Sequence, residues 1–123
     1  MRTVQHATRA FYEALRESPH GRFVLVSSSQ AQAPSGTNAA YSAAKAAAEA
    51  WTLALADQLG SDESASTANV VVVNAILTPQ MREESPDKPF KTFTSVEDIA
   101  EAIAYLCSDA AAKMNGKRLA IHP

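Results

Sequence analysis

Two unbroken apolar runs, Phe23-Val24-Leu25-Val26 and Val70-Val71-Val72-Val73, restrict the possible folds of this chain most. A strand with one wet face alternates apolar and polar residues. Four apolar residues in succession suit a strand covered on both faces, as in a parallel sheet flanked by helices. Between the two runs lies a long alanine-rich stretch, residues 39–59, in which Trp51, Leu55 and Leu59 recur at helical spacing; Gly60 stands where such a helix would stop. Alternating strands and helices of this kind predict an α/β fold.

The rest of the chain fits that pattern. Residues 3–17 carry Val4, Ala7, Phe11 and Leu15 at helical spacing and predict a helix stopped by Pro19-His20-Gly21. That pattern is already running at Met1 with no capping residue ahead of it, as expected of a chain cut inside a larger fold or of a frayed natural start. Residues 22–27 are the first strand. Residues 29–38 are polar, contain Pro34 and Gly36, and predict a loop beyond the carboxyl end of that strand, where open α/β sheets place ligands. Residues 61–67 predict a surface loop, and residues 80–93, with Pro86 and Pro89, a mobile loop near a substrate pocket. Ser95 can cap a further helix, with Asp98 at its third position. Val96, Ile99, Ala100, Ile103 and Leu106 form one apolar face of it. Asn115-Gly116 marks a turn before a short last strand, residues 118–121.

The chemistry-bearing residues gather at the end of the first strand. Ser28 stands at its carboxyl end, just past Ser27, and Tyr41 follows 13 residues later, enough chain to leave a strand tip and return over it. Tyr41 and Lys45 are four apart, so on a helix they share a face. A tyrosine ordinarily titrates near ~10 and is a poor base at neutral pH; a cation beside it favours the phenolate. Tyr41 could then exchange a proton with a carbonyl or alcohol oxygen held by Ser28. Taken alone, the same residues also suit an ordinary helix and a serine-capped turn.

The run Gly21-Arg22-Phe23-Val24-Leu25-Val26-Ser27-Ser28, followed by Tyr41-Ser42-Ala43-Ala44-Lys45 and a downstream strand ending in Asn74, resembles the short-chain dehydrogenases/reductases. The resemblance covers nearly the whole chain but only the second half of a family member. It implies the second half of a Rossmann-like, doubly wound parallel sheet, about three strands with flanking helices, with residues 1–123 as a single partial domain. It implies oxidoreduction between a carbonyl and an alcohol of a small-molecule substrate, with NAD or NADP as cofactor. Ser28, Tyr41 and Lys45 would be catalytic, Lys45 also bonding the cofactor's ribose. Asn74, Ile76 and Thr78 would lie on its nicotinamide side. Family members commonly pair the helices equivalent to residues 3–17 and 39–59 across a dimer, so a homo-oligomer is expected.

Three family features have no counterpart here. An asparagine that supports the lysine would fall just before Met1. The Pro-Gly turn after Asn74 is missing or shortened, since the chain reads Ala75-Ile76-Leu77-Thr78-Pro79. The four glycines, Gly21, Gly36, Gly60 and Gly116, are far apart, so no Gly-rich phosphate loop exists. NAD and NADP are therefore indistinguishable, and the chain alone is not expected to bind either. Two other readings stay open: a non-catalytic structural or oligomerisation fragment, or half of a split enzyme completed by another chain.

At 123 residues the chain holds at most one domain. A net charge of −2 without a basic block argues against nucleic acid or an anionic membrane as partner. No signal peptide is expected, since residues 1–15 carry charges throughout, and no apolar run approaches the ~20 residues of a membrane span. The single Cys107 excludes an internal disulfide and fits a cytoplasmic protein; its place in a helical apolar pattern predicts a core residue. His6, His20 and His122 lack partners at ligand spacing, so no metal site is expected.

Overall fold

The computed structural model describes residues 1–123. In chain order the elements are α1 (Arg2–Glu17), β1 (Arg22–Ser28), α2 (Ala39–Ser61), β2 (Thr67–Val73), β3 (Ala75–Leu77), α3 (Pro79–Glu84), β4 (Phe93–Ser95), α4 (Val96–Cys107) and β5 (Arg118–Ala120). Short 3-10 turns at Ser29–Ala31 and Asp109–Ala111 complete it. β1, β2 and β5 form a parallel sheet in that order, with Val26 opposite Val71 and Val71 opposite Leu119. β3 and β4 form a separate parallel pair. The architecture is the α/β one expected.

Helices cover both faces of the sheet. On one side Leu55, Ala56 and Leu59 of α2 pack on Ala68, with Tyr12, Leu15 and Phe23 around them. On the other, Ile99 and Leu106 of α4 pack with Ala111 on Val71 and Val73, joined by Val24 and Val26. The alternation of Phe23 with Val24 and Val26 is the strand period read out on two buried faces. All seven residues of β2 are buried. β1 differs: only Ser27 and Ser28 are buried, and Arg22 through Val26 are half-buried. Its apolar run was expected to be covered like that of β2. It is not, because β2 is its only strand partner and its other edge is open.

Two asparagine side chains, buried Asn69 and half-buried Asn115, fasten the last turn to the central strand. Asn69 is 1% exposed; its amide donates to the Met114 carbonyl at 2.7 Å and its oxygen accepts from Lys117 N at 2.9 Å. Asn115 accepts from Ala68 N at 2.9 Å and donates to the Ala56 carbonyl at 2.8 Å. Gly116 then takes a φ of +69°, the left-handed conformation that the Asn-Gly pair announced.

Several local expectations are corrected. Gly60 does not end α2, which runs on to Ser61. The helix closes in a Schellman arrangement: Glu63 N bonds the Gly60 carbonyl at 3.1 Å and Ser64 N the Leu59 carbonyl at 2.9 Å. The left-handed residue there is Glu63, φ 53°, not a glycine. The segment beginning at residue 80, read as a loop, starts with helix α3. The Thr78 hydroxyl accepts from Met81 N at 3.2 Å, and Pro79 occupies a first-turn position where its missing N–H costs nothing. Ala75–Leu77, read as part of a shortened turn, is a strand paired with β4.

The Ser95 cap is present, accepting from Asp98 N at 3.1 Å. On the face of α4 read as apolar, Ile99 and Leu106 are buried but Ala100 is exposed. Cys107, expected in the core, is exposed: one residue is about 100° of helix, enough to turn it away from the buried Leu106. On α1, Phe11 is 63% exposed and Thr8 is the buried residue, accepting from Trp51 Nε1 at 2.8 Å. Tyr12 donates to the Asp62 carboxylate, tying α1 to the end of α2. That hydrogen bond holds the Asp62 carboxyl below the usual carboxylate range and the Tyr12 phenol above the usual tyrosine range. No helix is long and apolar enough to cross a membrane.

Candidate functional site

Parallel strands all present their carboxyl ends on one side of the sheet. β1 delivers three consecutive serines there, and each has a different task. Ser27 is 2% exposed and donates to Glu49 Oε1 at 2.6 Å. Ser28 is 3% exposed; its hydroxyl oxygen accepts from Gln30 N at 3.2 Å and caps the first 3-10 turn. Ser29 donates to Asn74 Oδ1 at 2.9 Å. Because Ser28 Oγ is used as an acceptor, its O–H remains available to donate.

α2 carries the other two candidates in its first two turns. Tyr41 is 50% exposed. Lys45 Nζ lies 5.8 Å from the centroid of the Tyr41 ring, within cation–π range. Its one protein acceptor is the Val26 carbonyl at 3.4 Å, so two of its three donors have no protein partner. The helix thereby brings Tyr41 and Lys45 together, and the Lys45 bond reaches β1 two residues before Ser28. No hydrogen bond joins Ser28, Tyr41 and Lys45 to one another. None of the five surface cavities is lined by Ser28, Tyr41 or Lys45.

Asn74, Ile76 and Thr78 lie on the segment that leaves β2. Asn74 is committed on both sides of its amide: the oxygen accepts from Ser29, and the nitrogen donates to the Thr92 carbonyl at 3.3 Å. It therefore ties the end of β1 to the approach to β4. Ile76 is 42% exposed, and the Thr78 hydroxyl caps α3. None of the three is hydrogen-bonded to Tyr41 or Lys45.

A buried ion pair beside the site was not anticipated from sequence. Glu49 is 5% exposed; besides Ser27, it accepts from Arg118 Nε at 2.7 Å and Arg118 Nη2 at 3.2 Å. The available signal was a carboxylate four residues after Lys45, flanked by alanines on both sides. No group of three or more His, Cys, Asp or Glu side chains is placed to hold a metal ion.

A parallel sheet wound with helices on both faces, with this serine end and this Tyr–Lys helix, defines a protein of the Rossmann-like α/β class. The chain belongs to the short-chain dehydrogenase/reductase family: the family model described as Enoyl-(Acyl carrier protein) reductase matches residues 1–122. Among its relatives, the 3-oxoacyl-[acyl-carrier-protein] reductase FabG of Escherichia coli (strain K12) is 30% identical over 98% of this chain and 52% of its own length. The acetoacetyl-CoA reductase of Allochromatium vinosum is 28% identical, over 99% of this chain and 52% of its own length. The crystal structure of 3-ketoacyl-(acyl-carrier-protein) reductase from Brucella melitensis complexed with NADH superposes with a TM-score of 0.82 at 25% identity, covering 99% of this chain and 53% of that one. A short-chain type dehydrogenase/reductase from Mycobacterium ulcerans gives 0.81 at 24% identity, over 98% of this chain and 47% of that one. The chain thus spans about half the length of the relatives it matches.

Proposed function

We propose that residues 1–123 form the catalytic half of an NAD(P)-dependent oxidoreductase that interconverts a carbonyl and an alcohol on a small-molecule substrate. The observation that carries this reading is the meeting of β1's carboxyl end, with Ser28, and the α2 face that pairs Tyr41 with Lys45. Ser28 holds the substrate oxygen through its free O–H. Tyr41 passes its phenolic proton to that oxygen on reduction and takes it back on oxidation. The Lys45 ammonium stabilises the charge that develops on the tyrosine oxygen, and its two unpaired donors suit ribose hydroxyls. The dinucleotide, when bound, supplies or accepts the hydride. Asn74, Ile76 and Thr78 border its nicotinamide side, Asn74 and Thr78 from positions already fixed by their hydrogen bonds.

The residues present fit only one end of such a cofactor. Four scattered glycines make no cradle for a pyrophosphate. A Gly-rich half, in a longer chain or a separate one, would supply that cradle. The single cysteine supports a reducing, cytoplasmic setting.

The test joins this chain to the dinucleotide-binding half of a relative and follows nicotinamide absorbance. Two of the relatives are named as reductases of 3-oxoacyl and acetoacetyl thioesters, so acetoacetyl-CoA is the first substrate to try. Turnover is expected from the joined protein, and calorimetric titration of the chain alone with NADH or NADPH should show no useful binding. A low-micromolar dissociation constant for the chain alone would refute the need for a second half. A folded, cofactor-binding joined protein that turns over none of a panel of ketones and thioesters would favour the second reading, a non-catalytic structural half. The absence of a walled cavity around Ser28, Tyr41 and Lys45 is the observation on that side.

The chain is also proposed to self-associate. The open edge of β1 carries unpaired backbone groups without a proline, lysine or bulge among Phe23–Val26 to block strand pairing. Beside it, Ala7, Phe11, Ala14, Leu15 and Phe23 line an apolar groove. Light scattering on a size-exclusion column should give at least a dimer at tens of micromolar. A sharp peak at the 13.1 kDa monomer mass with cooperative unfolding would overturn this.

A further inference from the structure

We infer that Glu49 and Arg118 are positioning residues for the candidate site, Arg118 holding the Glu49 carboxylate away from Lys45; the functional half of this inference rests on the oxidoreductase reading above. Tyr41, Lys45 and Glu49 sit at successive four-residue steps on α2 and so share one face. A lysine and a glutamate four apart on a helix are within reach of each other and attract, even in this weaker order with the lysine first. Here they do not pair. Lys45 turns to the Val26 carbonyl at 3.4 Å, while Glu49 is taken by Ser27 at 2.6 Å and by Arg118 at 2.7 and 3.2 Å.

Burial gives this division its force. The Glu49 side chain is 6% exposed and that of Arg118 24%, so the carboxylate cannot fall back on water for its partners. The two-pronged guanidinium and the Ser27 hydroxyl account for three bonds to it, which leaves Lys45 unclaimed. Without Arg118, the nearest cation on the same helix face is Lys45, one turn away. Glu49 would then draw the ammonium away from Tyr41 and from the ribose position. The same bonds set a mechanical register. Lys45 to Val26 and Glu49 to Ser27 are two ties from α2 to consecutive residues of β1, and Ser28 is the next residue. Arg118 extends the tie to β5 at the opposite edge of the sheet. The strand that carries Ser28 and the helix that carries Tyr41 are therefore locked together one turn below the site.

The test uses the full chain with lysine labelled by ¹³C at Cε, the Lys45 resonance being assigned through Lys45→Arg. In Arg118→Met the Lys45 signal is expected to move. In Arg118→Lys, and in the double variant Glu49→Gln/Arg118→Met, it should return close to its original position, because the carboxylate is again paired or is gone. A purely packing role would move it equally in the single and double variants, and that result overturns the proposal. So does an unmoved signal in a folded Arg118→Met chain. If Arg118→Met does not fold, Arg118→Gln removes the charge while keeping a hydrogen-bond donor; a smaller displacement in the same direction is expected, and none would overturn the proposal. In the joined oxidoreductase, Arg118→Met should lower kcat by up to about 100-fold and raise the KM for the nicotinamide cofactor, with the KM for the carbonyl substrate little changed, the double variant recovering most of both. Wild-type protein without turnover would sink the oxidoreductase reading and leave the resonance result standing.

Discussion

Tyr41→Phe in the joined oxidoreductase is expected to lower kcat by ~100- to 10,000-fold, the range for losing a positioned general acid. The change should leave stability nearly untouched, within about 0.5 kcal/mol, as for surface substitutions away from packing and caps. Tyr41 is 50% exposed and its hydroxyl has no protein partner, so nothing is orphaned when the oxygen goes. The ring keeps its place beside Lys45. Because the proton transfer belongs to the transition state, kcat and kcat/KM should fall together while cofactor affinity stays the same. Ser28→Ala offers the contrast. Ser28 is buried and its oxygen caps the first 3-10 turn, so that variant should lose stability as well as turnover. Kinetics and chemical denaturation on the same preparations separate the two. A Tyr41→Phe enzyme that keeps most of its kcat would remove tyrosine from the proton path.

What the sequence made legible follows from what each feature depends on. The two apolar runs became parallel strands because burial on both faces is written in consecutive residues; the unpaired edge of β1 was legible from the resemblance, and the half-burial of its apolar run follows from that edge. The Tyr41–Lys45 pair was legible because helical spacing alone sets it. The end of α2 was not, since Glu63 took the left-handed position usually filled by glycine, and Gly60 drew the boundary too early. Thr78-Pro79 carried a helix-start signal, but the prolines further on made the whole segment read as loop. Cys107 was misplaced by one residue of helical phase. The Glu49–Arg118 pair spans 69 residues of sequence, and its Ser27 link spans 22. Nothing local announces a contact at that separation, which exists only once the sheet has brought β5 and α2 to the same face.

Leu106→Ala is expected to destabilise the chain by about 2–5 kcal/mol, against a total of ~5–15 kcal/mol for a domain. Leu106 is 0% exposed and packs among Val71, Val73, Ile99 and Ala111. The cost depends on whether the site can collapse around the smaller side chain. Val71 is paired with both neighbouring strands and Val73 with β1, so neither can move toward the void without disturbing the sheet. Ile99 lies two turns back on the same helix and is 8% exposed, so it is held as well. Little relaxation is therefore available, and the loss should fall in the upper part of that range. Cys107→Ala, one residue on and exposed, is the matched control and should change stability by less than about 0.5 kcal/mol. Urea unfolding of the three proteins at one concentration checks this, with the slope of the transition expected to stay constant. A Leu106→Ala loss below about 1 kcal/mol would mean that α4 does not anchor its face of the sheet.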